Sequence, residues 1–129
     1  MNREIIIVEP FIYAGLKIAS QVDARIAMGN NPEHIVSSVC RHFKIDAVRL
    51  LSHTRVREVS YPRIIAIHKI RKTSGMTLKE IGKMFGGRDH STILYSLETY
   101  GDLMKYDKQF QKMVSGYEEN TRKEAELKT

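Results

Sequence analysis

The chain is poor in the residues that build covalent or metal-held scaffolds. It holds one cysteine, Cys40, so no disulfide can close within it, and that usage suits a reducing compartment. With Val39 and Ile35 as neighbours, Cys40 reads as a buried structural thiol rather than a nucleophile. The five histidines, His34, His42, His53, His68 and His90, show neither Cys/His pairs at finger spacing nor an H-E-x-x-H pair. Zinc is therefore not expected. There is no G-x-x-x-x-G-K-[ST] loop to cradle phosphates, so no ATP site and no cofactor are expected. No apolar run approaches the ~20 residues of a membrane span. The opening Met-Asn-Arg-Glu-Ile-Ile-Ile-Val-Glu-Pro has too short an apolar stretch, broken by acid, for a secretory signal. No membrane partner is expected, and the cytoplasm, in association with the nucleoid, is the expected location. Internal repeats and low-complexity linkers are absent as well.

What is present is one core's worth of apolar residues and an uneven distribution of charge. At 129 residues and 42% hydrophobic, the chain can bury one core with attached tails. The net charge of +6 is concentrated: from Arg41 to His90 there are twelve Lys and Arg against four Asp and Glu, a balance of +8, and the remainder sums to −2. A basic middle favours a polyanion, because each phosphate contact releases condensed counterions. A solvated basic face explains the composition equally well.

The periodicity is helical almost throughout. After a β-branched run at Ile5 to Val8, Pro10 opens a segment in which Phe11, Ala14, Ile18, Val22 and Ile26 recur at helical spacing. Asn31-Pro32-Glu33 supplies an N-cap and a first-turn proline for a helix with the stripe Ile35, Val36, Val39 and Phe43. Asp46 caps a short helix through Leu50 and Leu51. Ser52 to Tyr61 breaks the pattern and reads as an exposed basic loop with His53, Arg55 and Arg57. Pro62 then starts a helix through Ile64, Ile65, Ile67 and Ile70, ended by Ser74-Gly75.

Thr77 and Glu80 form a capping box that starts a helix at Leu78, running through Ile81 to Phe85. Gly86-Gly87 turns the chain, and Asp89 caps or enters a second helix. Ile93, Leu94, Leu97 and Tyr100 or Leu103 are expected to face the core, leaving His90, Ser91 and Thr92 on the outward first turn. Short side chains rich in donors and acceptors at the start of a second helix are what a helix-turn-helix uses on base edges. Arg88 is placed to reach a phosphate or a guanine edge. A last helix carries Phe110, Met113, Val114 and Tyr117, and a charged, frayed tail follows.

From Pro32 to Tyr117, roughly two thirds of the chain, the sequence resembles the C-terminal DNA-binding domain, domain IV, of the bacterial replication initiator DnaA. The resemblance rests on the basic loop, Tyr61-Pro62-Arg63, Leu78-Lys79-Glu80-Ile81-Gly82 and, above all, Phe85-Gly86-Gly87-Arg88-Asp89-His90-Ser91-Thr92. It implies an all-α multi-helix domain containing a helix-turn-helix of the Trp repressor-like kind, with an extra N-terminal helix. It divides the chain into an extension over 1–31, the DNA-binding domain over 32–117 and a charged tail over 118–129. It implies that Arg55 enters a minor groove, where a narrow A·T-rich tract attracts arginine. It further implies that Asp89, His90 and Ser91 read bases, and that Arg57, Arg63, Arg71, Lys79, Arg88 and Thr92 match or flank phosphate contacts. The implied target is double-stranded DNA carrying a short asymmetric DnaA box, TTATCCACA or a variant. Ser91 stands where the family usually has threonine, so preference at one base is altered. Ile64 replaces a polar residue and Tyr95 a histidine, so one or two backbone contacts are weakened or remade.

The expectation is a free-standing, non-enzymatic DNA binder acting in replication initiation or its regulation. A segment excised from a longer initiator is less favoured, because a linker helix should be more polar than Phe11 to Met28. The apolar face of residues 11–28 either packs on the domain or serves self-association or a protein partner. Two competing functions are an interaction adaptor or transcription regulator built on the same helix-turn-helix, and a metal-dependent nuclease. An adaptor has no need of Arg55 or a polar first turn, and a nuclease needs a carboxylate nearer Asp89 than Glu98 or Asp102. Asp89, His90 and Ser91 are adjacent on one helix and cannot align as a hydrolase triad.

Overall fold

The computed structural model describes residues 31–128. The N-terminal helix expected over 11–28 and the run Ile5 to Val8 lie outside the described residues. Six helices follow in order: α1 (Pro32–Phe43), α2 (Ala47–Leu50), α3 (Arg57–Ser74), α4 (Leu78–Met84), α5 (His90–Tyr106) and α6 (Lys108–Lys128). The described residues contain no strand, so this part of the chain is all-α.

The helix starts are chemical. The Asn31 carboxamide accepts the amides of Glu33 at 2.8 Å and His34 at 3.4 Å, with Pro32 at the first helical position. Asp46 accepts the Arg49 amide at 3.2 Å. At α4 the capping box is reciprocal: the Glu80 amide donates to Thr77 Oγ1 at 3.1 Å and the Thr77 amide to Glu80 Oε1 at 2.9 Å.

α3 departs from the expected boundary. It begins at Arg57, not Pro62, because the Val56 carbonyl already accepts the amides of Val59 at 2.9 Å and Ser60 at 2.8 Å. Pro62 sits inside the helix. The carbonyl deprived of a partner there belongs to Glu58, an exposed first-turn residue within reach of water, so the usual cost of an interior proline is reduced. The basic loop accordingly shrinks to residues 52–56.

α3 runs through the middle of the domain against α1, α2, α4 and α5, burying Val59, Ile65, Ala66, Ile67 and Ile70. Below it, Phe110 packs edge-on against Tyr61 and Tyr100, with ring centroids 5.2 and 5.5 Å away. α6 is fastened to α1 by Tyr117, whose hydroxyl pairs with Ser38 Oγ at 2.9 Å and whose ring stacks on Phe43. The frayed tail expected beyond residue 117 is instead the end of α6, helical to Lys128, with Glu118 paired to Lys69 at 3.2 Å and Glu124 to Arg41 at 3.5 Å. Leu94 also differs: Ile93 takes the inward position and leaves Leu94 45% exposed, while Leu97, Tyr100 and Leu103 are half-buried against the core.

Candidate nucleic-acid interface

α4 and α5 are joined by a five-residue turn whose compactness depends on glycine. Gly86 and Gly87 take φ of +78° and +75°, conformations that cost an L side chain energy. Gly82 serves a different need, because the Arg88 amide donates to the Gly82 carbonyl at 2.8 Å and a Cβ on Gly82 would lie 2.1 Å from the Arg88 carbonyl oxygen. The turn thus folds back onto α4 and sets where α5 begins.

The first turn of α5 faces solvent. Asp89 is the N-cap: its Oδ2 accepts the Ser91 amide at 3.2 Å and also the Ser91 hydroxyl. These two bonds, the hydroxyl's foremost, hold the Asp89 carboxyl below the usual aspartate range. His90 Nδ1 lies 3.8 Å from Asp89 Oδ1, an ion pair whenever the imidazole is protonated, and both side chains are about two-thirds exposed. The serine hydroxyl bonds the carboxylate rather than the imidazole, which is the geometry of a helix cap and not of a nucleophile with its base. Among the described residues no cluster of three or more His, Cys, Asp or Glu is placed to hold a metal.

Beside α5 a groove of about 810 Å³ opens between the 52–56 loop, α3 and α5. It brings together five of the residues singled out from the sequence: Arg55, Arg63, Arg88, Asp89 and Thr92. Arg55 is exposed on the loop and lines the groove together with Asp89 and Thr92 of the α5 start. His90 and Ser91 lie on the adjoining outward turn. Arg57 is exposed at the start of α3, its guanidinium 5.3 Å from the centre of the Tyr61 ring. Lys79 is exposed on the first turn of α4, and Arg71, also exposed, donates from Nη1 to the Met76 carbonyl at 2.7 Å.

Two arginines expected at phosphates are not free surface cations in the folded chain. Arg63 is only 6% exposed, and donates from Nε to the Leu50 carbonyl at 2.8 Å and from Nη1 to the Thr54 carbonyl at 2.9 Å. Its Nη2 is buried without an acceptor among the described residues. Burial first, and the Arg88 charge second, pull its pKa down to about 10. Arg88, half-buried, donates from Nη1 to the carbonyls of Phe85 at 2.5 Å and Leu51 at 3.4 Å, and from Nη2 to that of Ser52 at 2.6 Å. Both guanidiniums are engaged by backbone carbonyls that the sequence gives no means of pairing with them.

Two serines that sequence reasoning did not single out also line the groove. They are Ser60 and Ser96, and Tyr95 is 69% exposed on the same side of α5. Ser96 was findable, since Asp89, Thr92 and Ser96 repeat at helical spacing.

A capped helix, a glycine turn and a second helix with an exposed polar first turn, packed on a helical core, make a helix-turn-helix domain. Comparison with known proteins agrees in detail. Residues 32–99 match the family model described as the bacterial dnaA protein helix-turn-helix, and the chain belongs to that family. Among curated relatives, the chromosomal replication initiator protein DnaA of Thermomicrobium roseum is 37% identical over 78 residues, 60% of this chain and 17% of the relative. That of Jannaschia sp. is 39% identical over 77 residues, 60% of this chain and 16% of the relative. That of Thermus thermophilus is 33% identical over 98 residues, 76% of this chain and 22% of the relative. The matched stretch thus spans about a fifth or less of the curated relatives' length.

Proposed function

We propose that this domain binds double-stranded DNA sequence-specifically at DnaA-box-like elements, in replication initiation or its regulation. The observation that carries the reading is the single groove with Arg55 on one rim and the capped start of α5 on the other. A major groove about 12 Å wide admits one helix, and the first turn of that helix meets the base edges. With α5 seated there, His90 and Ser91 are the outermost side chains and Asp89 can accept from an exocyclic amine. Arg55, held on the adjacent loop, then faces the neighbouring minor groove. Arg57, Arg71, Lys79 and Thr92 surround this footprint as phosphate contacts, consistent with the +8 balance over residues 41–90. The relatives are named as chromosomal replication initiators, which supports a role at initiator sites.

The test is selection of bound sequences from a random duplex pool, followed by titration. Enrichment of one short asymmetric element with a DnaA-box core is the expected result. Enrichment of a palindrome, or no enrichment at all, would overturn the reading.

A further inference from the structure

Between α2 and α3 the backbone turns four nearby carbonyls toward two cations. Leu50 and Thr54 give theirs to Arg63, while Leu51 and Ser52 give theirs to Arg88. The remaining residue of the stretch, His53, is tied by its ring, with Nε2 3.2 Å from the Gly86 carbonyl. Arg88 also holds the Phe85 carbonyl, so one guanidinium bridges the loop and the turn that launches α5. Neither arginine has a carboxylate partner among the described residues. The loop's own bonds are local: the Ser52 amide and hydroxyl donate to the Arg49 carbonyl at 3.2 and 2.7 Å, and the amides of Thr54 at 3.4 Å and Val56 at 3.3 Å donate to the hydroxyls of Ser52 and Thr54. Beyond the Ser52 bonds to Arg49 and the His53 ring on Gly86, only the guanidiniums and two long amide–hydroxyl bonds hold the segment that presents Arg55.

We propose that Arg63 and Arg88 are positioning residues that grip the 50–54 carbonyls from two sides, fixing Arg55 at a set distance from the start of α5 before DNA arrives. The inference rests on the duplex-binding reading and adds a mechanism to it. Two planar guanidinium forks suit the task, since each offers several donors in a fixed geometry that an ammonium does not have. A loop ordered in advance does not have to be ordered by the ligand, and the difference appears as affinity. The grip also links the two readers, because Arg88 holds the loop through Leu51 and Ser52 while its own place in the turn before Asp89 is held through Phe85. The pKa of Arg63, lowered to about 10 by burial first and the Arg88 charge second, accords with two guanidiniums set side by side in a partly dry site.

The experiment begins on the DNA-free protein. In Arg88→Gln, backbone ¹⁵N relaxation of residues 52–56 is expected to show a loop that has become mobile on the nanosecond timescale, while α1, α3 and α6 keep the wild-type profile. A loop as ordered as wild type would overturn the proposal, whatever the protein does with DNA. The second arm is a double-mutant cycle with Arg55→Ala on a DnaA-box duplex. Arg55→Ala alone is expected to weaken binding roughly 5- to 150-fold, the range for one good groove contact. In the Arg88→Gln background it should cost much less, since Arg55 is already misplaced. Full additivity would show that Arg88 does not act through Arg55. Arg63→Lys is the milder partner variant at the buried site. It keeps the charge but loses the planar fork, so it should free the loop as Arg88→Gln does, whereas a loop as ordered as in wild type would overturn the positioning role of Arg63. Failure of the wild-type protein to prefer the box would instead defeat the duplex-binding reading and leave the relaxation result standing.

Discussion

The start of α5 and the middle of α3 are both short helical stretches of the same domain, yet they are built to opposite rules. α3 buries nine residues, including Val59, Ile67 and Ile70 without measurable exposure, and is enclosed by four other helices. α5 buries one residue, Ile93, and rests its remaining apolar side chains half-covered on the core. A helix anchored by a single deep residue, one glycine turn and one cap can change its outward surface at little cost to the fold. A helix like α3 cannot, because its side chains are everyone else's packing surface. The division is physical: the inward side of α5 packs on α3, α4 and α6, while its outward first turn adds little to the core and is the face proposed for recognition.

Substitutions in each region should therefore separate stability from binding. The largest expected effect is on the packed side. Phe110→Ala removes the ring against which Tyr61 and Tyr100 pack, and chemical denaturation should show a loss of about 3 to 5 kcal/mol. Binding per folded molecule should stay close to wild type. On the reading side His90→Ala reverses the pattern. Stability should remain within about 0.5 kcal/mol of wild type, while titrations against matched and scrambled duplexes should show about 1 to 3 kcal/mol lost from the matched one only. A comparable fall in both assays for either variant would erase the division.

Lys79→Ala sharpens the distinction within the reading side itself. Its side chain is exposed on the first turn of α4, so its loss should weaken matched and scrambled duplexes alike and reduce the slope of log K against log salt by about one. Loss of sequence preference in this variant would mean that Lys79 reads bases.

The smallest effect expected is in the response to acid, where one depressed carboxyl lies at the start of α5 and another, Asp107, between α5 and α6 against Tyr61 of α3. Asp89 is held low by Ser91, and Asp107 by the Phe110 amide at 2.9 Å and the Tyr61 hydroxyl at 2.9 Å. A carboxyl with a lowered folded pKa contributes stability in full above its unfolded value, and loses it as pH falls through the folded one. Melting temperature should thus be flat from these groups between pH 7 and 5 and decline only below about 4. Asp107→Asn should flatten that decline more than Asp89→Asn, because Asp107 ties Tyr61 to the start of α6. The reverse order would place more of the fold's stability at the start of α5 than its packing suggests.

The sequence made the capped starts and the turn legible because their chemistry is local. Asn31-Pro32, Asp46, Thr77 with Glu80, and Gly86-Gly87 each act within four residues, and each appears where its spacing places it. The start of α3 was not legible, since its first turn exposes Arg57 and Glu58 and so shows no apolar stripe, while Pro62 imitates a beginning. The end of α6 was hidden for a related reason, in that a charged stretch looks the same whether frayed or helical. Arg63 and Arg88 were read as surface cations because most arginines are. Their carbonyl partners stand 9, 13, 36 and 37 residues away, apart from Phe85, and only the folded chain brings them together. In the candidate site, therefore, the exposed polar first turn of α5 was readable and the carbonyl partners of Arg63 and Arg88 were not.

The most direct test of the central claim, that one chain reads a duplex through two adjacent grooves, is groove-resolved footprinting on a single DnaA-box duplex. Methylation interference at guanine N7 reports the major groove, and interference at adenine N3 reports the minor. The account predicts major-groove signals over the part of the box covered by α5, and minor-groove signals at its A·T-rich end that disappear selectively in Arg55→Ala. Major-groove signals alone in the wild type, or a minor-groove signal unaffected by Arg55→Ala, would contradict it.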